Sequence, residues 1–551
     1  MLCGRMGTRR NLLAWIPAAL GLAAAAAGQT GYKTFENKLK GVTFVYPTTH
    51  QELPLQPDER VLVAKYVMKQ QPEELKRVDE RLFKAQTPTL QVFRFRLPGA
   101  KTGNRAAPDT KPVHGDAAAD AVPQMTWETF LVGLQPWLVT EDAKKPGCFV
   151  LASPGGFGGG RGRGDERPTF QGYLVRKIDG NTVLGVFGYS YAAGAKTLEA
   201  QVTRMAASLK VSDEDAGDKA EAEIDKLYAS GKFKAVEWRK QVRSKMASGW
   251  KAYDTENYLI VHHSTNMALV KRIARDIEAM RAFYGEQFPP SKPIDAVAIV
   301  RICRTMDEYH EYGGSPNTGG YWHPVNEELV FFDYSYTMKT LDSDEKRALG
   351  GQKLTDDDSL LVLYHEALHQ YMHYAVGEFA PHDWFNEGYG DYFSGAVVGE
   401  STGRVLRVEP SPWRLHLAKD MCEHGEGFLA LKDVLHAEHS TFYNAARMGH
   451  YYAAAWSFVH FLKHGKEAAQ NPQWSKLLPT YFEAVKAAYQ KEAKDLAKGD
   501  ERGRHVAAFQ ARKAALAKTL EGIDLPALEA AWRKYVVEMK DPWPALRKKR
   551  R

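Results

Sequence analysis

Cysteine is scarce in this chain, with four residues in 551 and no CxxC pair among Cys3, Cys148, Cys303 and Cys422. That spacing excludes a disulfide framework and a cysteine-based zinc knuckle, and the three cysteines beyond the first segment allow at most one bridge. Long apolar runs are also missing. Nothing after residue 28 is apolar enough to span a bilayer, so no stable membrane span is expected. Charge of one sign is lacking where it would count. The formal net charge is +7, but residues 1–28 carry +3 through Arg5, Arg9 and Arg10, and Arg547 to Arg551 carry +5, which leaves −1 for the body between. A nucleic-acid binder places its basic residues on the folded domain, so no nucleic-acid partner is expected and the basic tail reads as a solvated end. There is no internal repeat. A composition 44% hydrophobic and 26% charged excludes wholesale disorder and a collagen-like fibre. The length suggests two to four domains.

The first 28 residues read as an export signal. A positive start (MLCGRMGTRR) precedes an apolar run from Leu12 to Ala27, whose closing alanines offer a small-residue cleavage site. The run is short for a membrane span and Pro17 interrupts it; the alternative reading is an uncleaved anchor. The paired Arg9 and Arg10 partly resemble a twin-arginine signal. The mature chain is therefore expected to start near Gln29, in the periplasm or outside the cell.

Residues 30–210 read as an α+β domain. Gly41–Tyr46 and Gln91–Leu97 have strand character, Phe170–Ile178 and Thr182–Tyr191 flank a turn at Asp179-Gly180-Asn181, and Thr197–Leu209 has helical spacing. The strand order looks similar to small secreted domains of the PsbP type. Gly99–Pro123 and the glycine-rich Pro154–Pro168 read as loops. Residues 211–250 read as a charged, solvated helical connector. From 251 to 470 a few strands (Tyr258–His262, Ala296–Cys303, Leu329–Phe332) give way to helices, and 471–551 reads as a helical extension with a basic tail. Strands followed by helices give α+β as the fold class, a short sheet packed on a helical half.

The chemistry is concentrated in two segments. Ser359–Val376 is a helix with N-cap candidates at Asp356 to Ser359, a stop at Gly377, and His365-Glu366-Ala367-Leu368-His369 inside it. At 3.6 residues per turn the two imidazoles lie on one face and reach one metal ion, while Glu366 is turned about 100° away and reaches a water on that ion. The same pattern is also what an amphipathic core helix with two surface histidines would show. The second segment, Asp383–Phe393, is a helix capped by Asp383. It places Glu387 eighteen residues after His369, where an antiparallel return brings its carboxylate to the same ion. Gly388 and Gly390 let the two helices approach closely. Two histidines and one glutamate, with a fourth position for water, form a catalytic rather than a structural zinc set.

HEALH followed by NEGYGDYF resembles the gluzincin metallopeptidases, the clan of thermolysin and aminopeptidase N, and the likeness covers about residues 251–540. It is similar as well to a secreted bacterial gluzincin-like family of undefined function, through Gly319-Gly320-Tyr321-Trp322, the HEAxHQ run, Trp384 to Gly388 and a later Tyr-x-x-x-Trp. The resemblance implies one Zn2+ per chain held by His365, His369 and Glu387, with Glu366 as general base. It implies that Asp391 hydrogen-bonds a ligand histidine, and that a tyrosine of Gly449–Leu462 donates to the oxyanion. Aligning that helix on His460 selects Tyr452 over Tyr451 and His450. A third helical histidine, His373, is a competing ligand on paper only. The metzincin pattern is excluded, because Met372 and Ala375 stand where its glycine and third histidine belong. The Gly-x-Met-Glu-Asn strand of aminopeptidases is missing; Glu327 and Glu328 precede a comparable edge strand and read as a solvated hairpin tip. The resulting expectation is a secreted zinc peptidase acting on peptides or proteins by a metal-activated water. The alternative is a metal-binding module of the same fold with little or no turnover, used in extracellular binding or envelope structure.

Overall fold

The computed structural model describes residues 31–542, apart from 38–41, 56–58, 60, 70–87, 99–123, 135–136, 153–169, 192–193, 212–221, 223, 245, 248, 316–317, 325, 342–353 and 498–499. The export segment 1–28, the loops Gly99–Pro123 and Pro154–Pro168, and the tail Arg547–Arg551 thus lie outside the described residues. The fold is α+β, in two compact units that divide between Lys251 and Ala252.

The first unit contains two antiparallel sheets. One orders β1 (Tyr32–Asn37), β2 (Val42–Pro47) and β10 (Lys210–Val211) as β1-β2-β10. The other comprises β3 (His50–Leu53), β4 (Leu62–Met68), β5 (Thr89–Arg96), β6 (Leu138–Glu141), β7 (Cys148–Ala152), β8 (Phe170–Asp179) and β9 (Thr182–Tyr191), in the order β3-β4-β5-β9-β8-β7-β6. Alternation along β5 sends Leu90 and Val92 to one core and Phe93 and Phe95 to another, as the two-residue period of a strand requires. Helix α1 (Trp127–Gly133) covers the second core with Phe130. Helix α2 (Ala195–Ser208) covers the first with Leu198, Val202, Met205 and Ala206, one apolar stripe at helical spacing. The connector is less solvated than its charge suggests. Helix α3 (Val236–Ser244) is anchored by a fully buried Arg239 that donates to the Lys234 carbonyl at 2.9 Å, and Tyr228 and Trp250 are buried too.

The second unit has a five-stranded sheet ordered β11-β12-β13-β15-β14: β11 (Lys251–Asp254), β12 (Tyr258–His262), β13 (Ala298–Cys303), β15 (Glu328–Phe332) and β14 (Gly320–His323). The pairs β12–β13 and β13–β15 are parallel, and the long helix α4 (Met267–Gln287) makes the first crossover. Strand β14 is antiparallel to β15 and forms the edge. This corrects two expectations. The Leu329–Phe332 strand is interior, not an edge. Glu328 is no solvated tip: it is 1% exposed, accepts from Arg301 Nε at 2.6 Å and from the Tyr312 hydroxyl at 2.5 Å. A buried carboxylate needs such partners. Glu327 alone occupies the turn, with φ 51°.

Helices α5 (Asp356–Val376) and α6 (Asp383–Phe393) follow, then the small hairpin of β16 (Ala396–Val398) and β17 (Val405–Val408), and helices α7 (Leu415–His424), α8 (His439–Phe442), α9 (Met448–His464), α10 (Leu477–Glu492), α11 (Glu501–Thr519) and α12 (Leu525–Glu538). The described residues after 470 fall in this same compact unit. Phe482 packs on Phe288, the Tyr481 hydroxyl bonds His382, and Lys486 donates to the Pro289 carbonyl at 2.9 Å. Among the described residues no helix is long and apolar enough to cross a membrane. Cys148, Cys303 and Cys422 are free thiols.

Candidate metal centre

Helix α5 is held in place by its tyrosines. Tyr364 donates to Asp276 at 2.7 Å and Tyr371 to the Phe288 carbonyl at 2.9 Å, while Tyr284 of α4 donates to the Tyr364 carbonyl at 2.7 Å. Its N-cap is Thr355, whose backbone N–H donates to Asp358 at 2.7 Å, so the cap lies just ahead of the expected Asp356–Ser359. The helix ends at Gly377, which has φ 116°. Helix α6 is buried from Trp384 to Phe393; its N-cap is His382, one position ahead of the expected Asp383, which is its first helical residue.

These two helices bring together the residues singled out by sequence. Ligand-capable atoms of His365, His369 and Glu387 all lie within 4.8 Å of one another. His365 Nε2 is 3.0 Å from Glu387 Oε2, and His369 Nε2 is 3.5 Å from Glu387 Oε1. Asp391, one helical turn after Glu387, faces the other nitrogen of His365, with Oδ1 3.2 Å from Nδ1. His369 Nδ1 has no such partner among the described residues. Glu366 belongs to the same helical turn as His365.

The two glycines have different neighbours. A Cβ on Gly390 would lie 2.7 Å from Cε1 of His365, so that glycine makes room for the ligand ring. A Cβ on Gly388 would lie 2.7 Å from the Ala455 carbonyl, so that one admits α9 rather than α5.

The electrostatics favour positive charge at this point. Burial opposes ionisation of Glu387, yet His369 and His365 outweigh it and hold the carboxyl well below its usual range. Burial also opposes a charged His365, but Asp391 and Glu387 hold the ring up to about 10; His369 is raised for the same reason, chiefly by Glu387. Glu366 is pushed above the usual carboxylate range, mainly by burial.

Tyr452 faces the cluster. Its ring lies 6.3 Å from that of His365 at 21°, and the Arg414 guanidinium sits over the same Tyr452 ring, 4.8 Å from its centroid. Phe442 packs on both Tyr451, at 5.3 Å, and Tyr452, at 5.4 Å; His450 packs on Gly427, and His460 bonds the Tyr535 hydroxyl at 2.8 Å. His373 lies 6.0 Å from the Trp322 ring and outside the ligand group. Two residues of the centre carry no signal in the motif. Arg414, buried at the start of α7, donates to Asp391 at 2.5 and 3.2 Å. Tyr443, just after α8, donates from its hydroxyl to Glu387 Oε1 at 2.5 Å.

No protein-family model matches the chain, and no curated protein does. Among solved structures it is similar to the Ran-binding protein Mog1p of Saccharomyces cerevisiae, at 14% identity over 34% of this chain and 98% of that one, with a TM-score of 0.19. It is also similar to cyanobacterial PsbP from Synechocystis, at 11% identity over 35% of this chain and 98% of that one, again with a TM-score of 0.19. Neither likeness carries an argument about the metal centre.

Proposed function

We propose that the second unit is a zinc-dependent peptidase of the gluzincin type, exported from the cytoplasm and acting on peptides or proteins. The observation that carries this reading is the convergence of two imidazoles and one carboxylate within 4.8 Å, with a further carboxylate, Glu366, on the same turn. The donor set fits the ion: nitrogen and oxygen ligands in this number are those of a zinc site that keeps a position open. Its charges fit as well, since Glu387 and Asp391 both face the histidines. His365, His369 and Glu387 would hold one Zn2+, which when bound supplies Lewis acidity and an activated water.

The chain's own residues then have separable tasks. Glu366 takes a proton from the attacking water and returns it to the departing amine; the burial that raises its pKa brings it nearer to the range a general base needs at neutral pH. Asp391 accepts from Nδ1 of His365 and so fixes the tautomer that leaves Nε2 free for the ion. The Tyr452 phenol donates to the oxygen on which negative charge develops.

Elemental analysis after dialysis and digestion of a peptide library test this. The parent protein is expected to hold about one zinc per chain and to cleave. Glu366→Gln should keep the zinc and lose nearly all cleavage, because an amide accepts no proton, whereas Glu387→Gln should lose zinc. Zinc retention without cleavage in the parent would leave the binding-module alternative standing. Less than about a tenth of an equivalent of zinc in the parent would remove both readings.

A further inference from the structure

Tyr443 lies in the segment between α8 and α9, 56 residues after Glu387. Its ring is held from three sides: by His439 at 4.4 Å, by Phe442 at 5.3 Å and edge-on by Tyr452 at 6.1 Å. The hydroxyl so placed meets Oε1 of Glu387 at 2.5 Å. The other carboxylate oxygen, Oε2, is the one nearer His365, at 3.0 Å from Nε2. A phenol facing a carboxylate can only donate, and charge-assisted donation of this kind is among the stronger hydrogen bonds a protein makes.

Among the described residues, no other neutral donor contacts Glu387. Its remaining two partners are the ligand histidines themselves, which a metal would claim. Once they are so engaged, Glu387 needs a donor that is not itself a ligand, or its carboxylate is free to rotate or to offer both oxygens.

We propose that Tyr443 is the positioning residue for the third ligand: by engaging Oε1 of Glu387 it makes the carboxylate present a single oxygen to the metal. This inference rests on the zinc reading given above. In this role Tyr443 differs from Tyr452, which is assigned to the substrate, and parallels Asp391, which does for His365 what Tyr443 does for Glu387.

The experiment is a zinc-affinity measurement by competition with a chromogenic chelator, made on the full chain. Tyr443→Phe should weaken zinc binding roughly 10–100-fold, the usual cost of losing a partner of a ligand. Tyr451→Phe, one residue before Tyr452 on α9 and so turned about 100° from it, should leave the affinity unchanged. If Tyr443 acts through Glu387, the loss should largely vanish in the Glu387→Gln background, because effects on one interaction do not add. Cobalt(II) substitution gives a second signature: the visible bands should weaken in Tyr443→Phe as the coordination number rises, with the metal-free melting temperature unchanged. Parental zinc affinity and an unchanged cobalt spectrum in Tyr443→Phe would overturn the proposal, as would full additivity with Glu387→Gln. A parent chain that binds no zinc would overturn the zinc reading itself, an outcome distinct from a parent that binds and a variant that binds equally well.

Discussion

Arg414 and Asp391 form an ion pair directly behind the candidate ligand His365, with the carboxylate of Asp391 fully buried and shared between the guanidinium and the imidazole. Burial alone would raise the pKa of Asp391, but Arg414 and His365 outweigh it and hold the carboxyl below its usual range. Asp391 is therefore a charge that exists only because its two partners do.

Removing one partner should be costly. Arg414→Met leaves a buried carboxylate with the imidazole alone, and breaking a pair of this kind costs about 3–5 kcal/mol. Urea denaturation of the metal-free protein should show a loss of that order, and Arg414→Lys a smaller one. A loss below ~1 kcal/mol for Arg414→Met would mean that His365 suffices to hold Asp391.

On the zinc reading, Gly390→Ala should act on the candidate ligand His365 itself. Its Cβ would come within 2.7 Å of the His365 ring, which Asp391 and Glu387 hold on both sides. Overpacking of this kind costs about 1–3 kcal/mol, and the displaced ring should also bind zinc more weakly. Gly388→Ala meets the Ala455 carbonyl instead and should lower the melting temperature while sparing zinc affinity more. Equal zinc affinities for the parent and Gly390→Ala would show that the ring can give way.

Tyr452→Phe keeps the ring beside Arg414 and His365 and deletes only the hydroxyl. With the zinc reading, kcat should fall roughly 10²–10³-fold with little change in KM, as for other lost oxyanion donors. Tyr451→Phe should be nearly silent, since that residue is turned about 100° from Tyr452 on α9. The reverse pattern in steady-state kinetics would move the assignment by one residue.

Acid should unfold the second unit partly through His460. This ring is buried in α9 and its pKa is lowered to about 3, by burial first and then by His464. In the unfolded chain it titrates near ~6.5. Between those values the unfolded state binds the extra proton, so the contribution is fully present above pH ~6.5 and is lost as pH falls toward 3, at up to about 1.4 kcal/mol per pH unit. Urea midpoints measured from pH 7 to 4 should fall less steeply in His460→Asn than in the parent. Parallel slopes would show that His460 accepts its proton without unfolding.

The sequence is most legible where function and secondary structure share a period. His365, Glu366 and His369 are fixed relative to one another by one helix, and Glu387 and Asp391 by the next, so helical geometry alone relates them within each group. Arg414 and Tyr443 belong to later segments and reach the centre only through the packing of α7 and α8, which no local spacing encodes. Glu328 was misleading for a related reason. Beside Glu327 it looks like one of two solvated carboxylates, and its partner Arg301 lies on a neighbouring strand, 27 positions away. One signal was available: a single arginine in the apolar run of β13 demands a buried counter-charge.

The last helix, α12, has a consequence for how the protein comes into being. Lys419 of α7 donates to the carbonyls of Val536, Val537 and Met539 at the end of α12, and the Trp532 indole donates to Ser457 of α9 at 3.2 Å. These are the helices that bear Arg414 at its start and Tyr452 within it. During synthesis the chain therefore carries every residue of its motif, from His365 to Tyr452, some seventy residues before it acquires the helix that fastens their backing in place. A chain arrested or clipped before Leu525 would hold the complete set of side chains and lack the helix that fastens their backing, so the candidate centre depends on a segment well beyond its own residues.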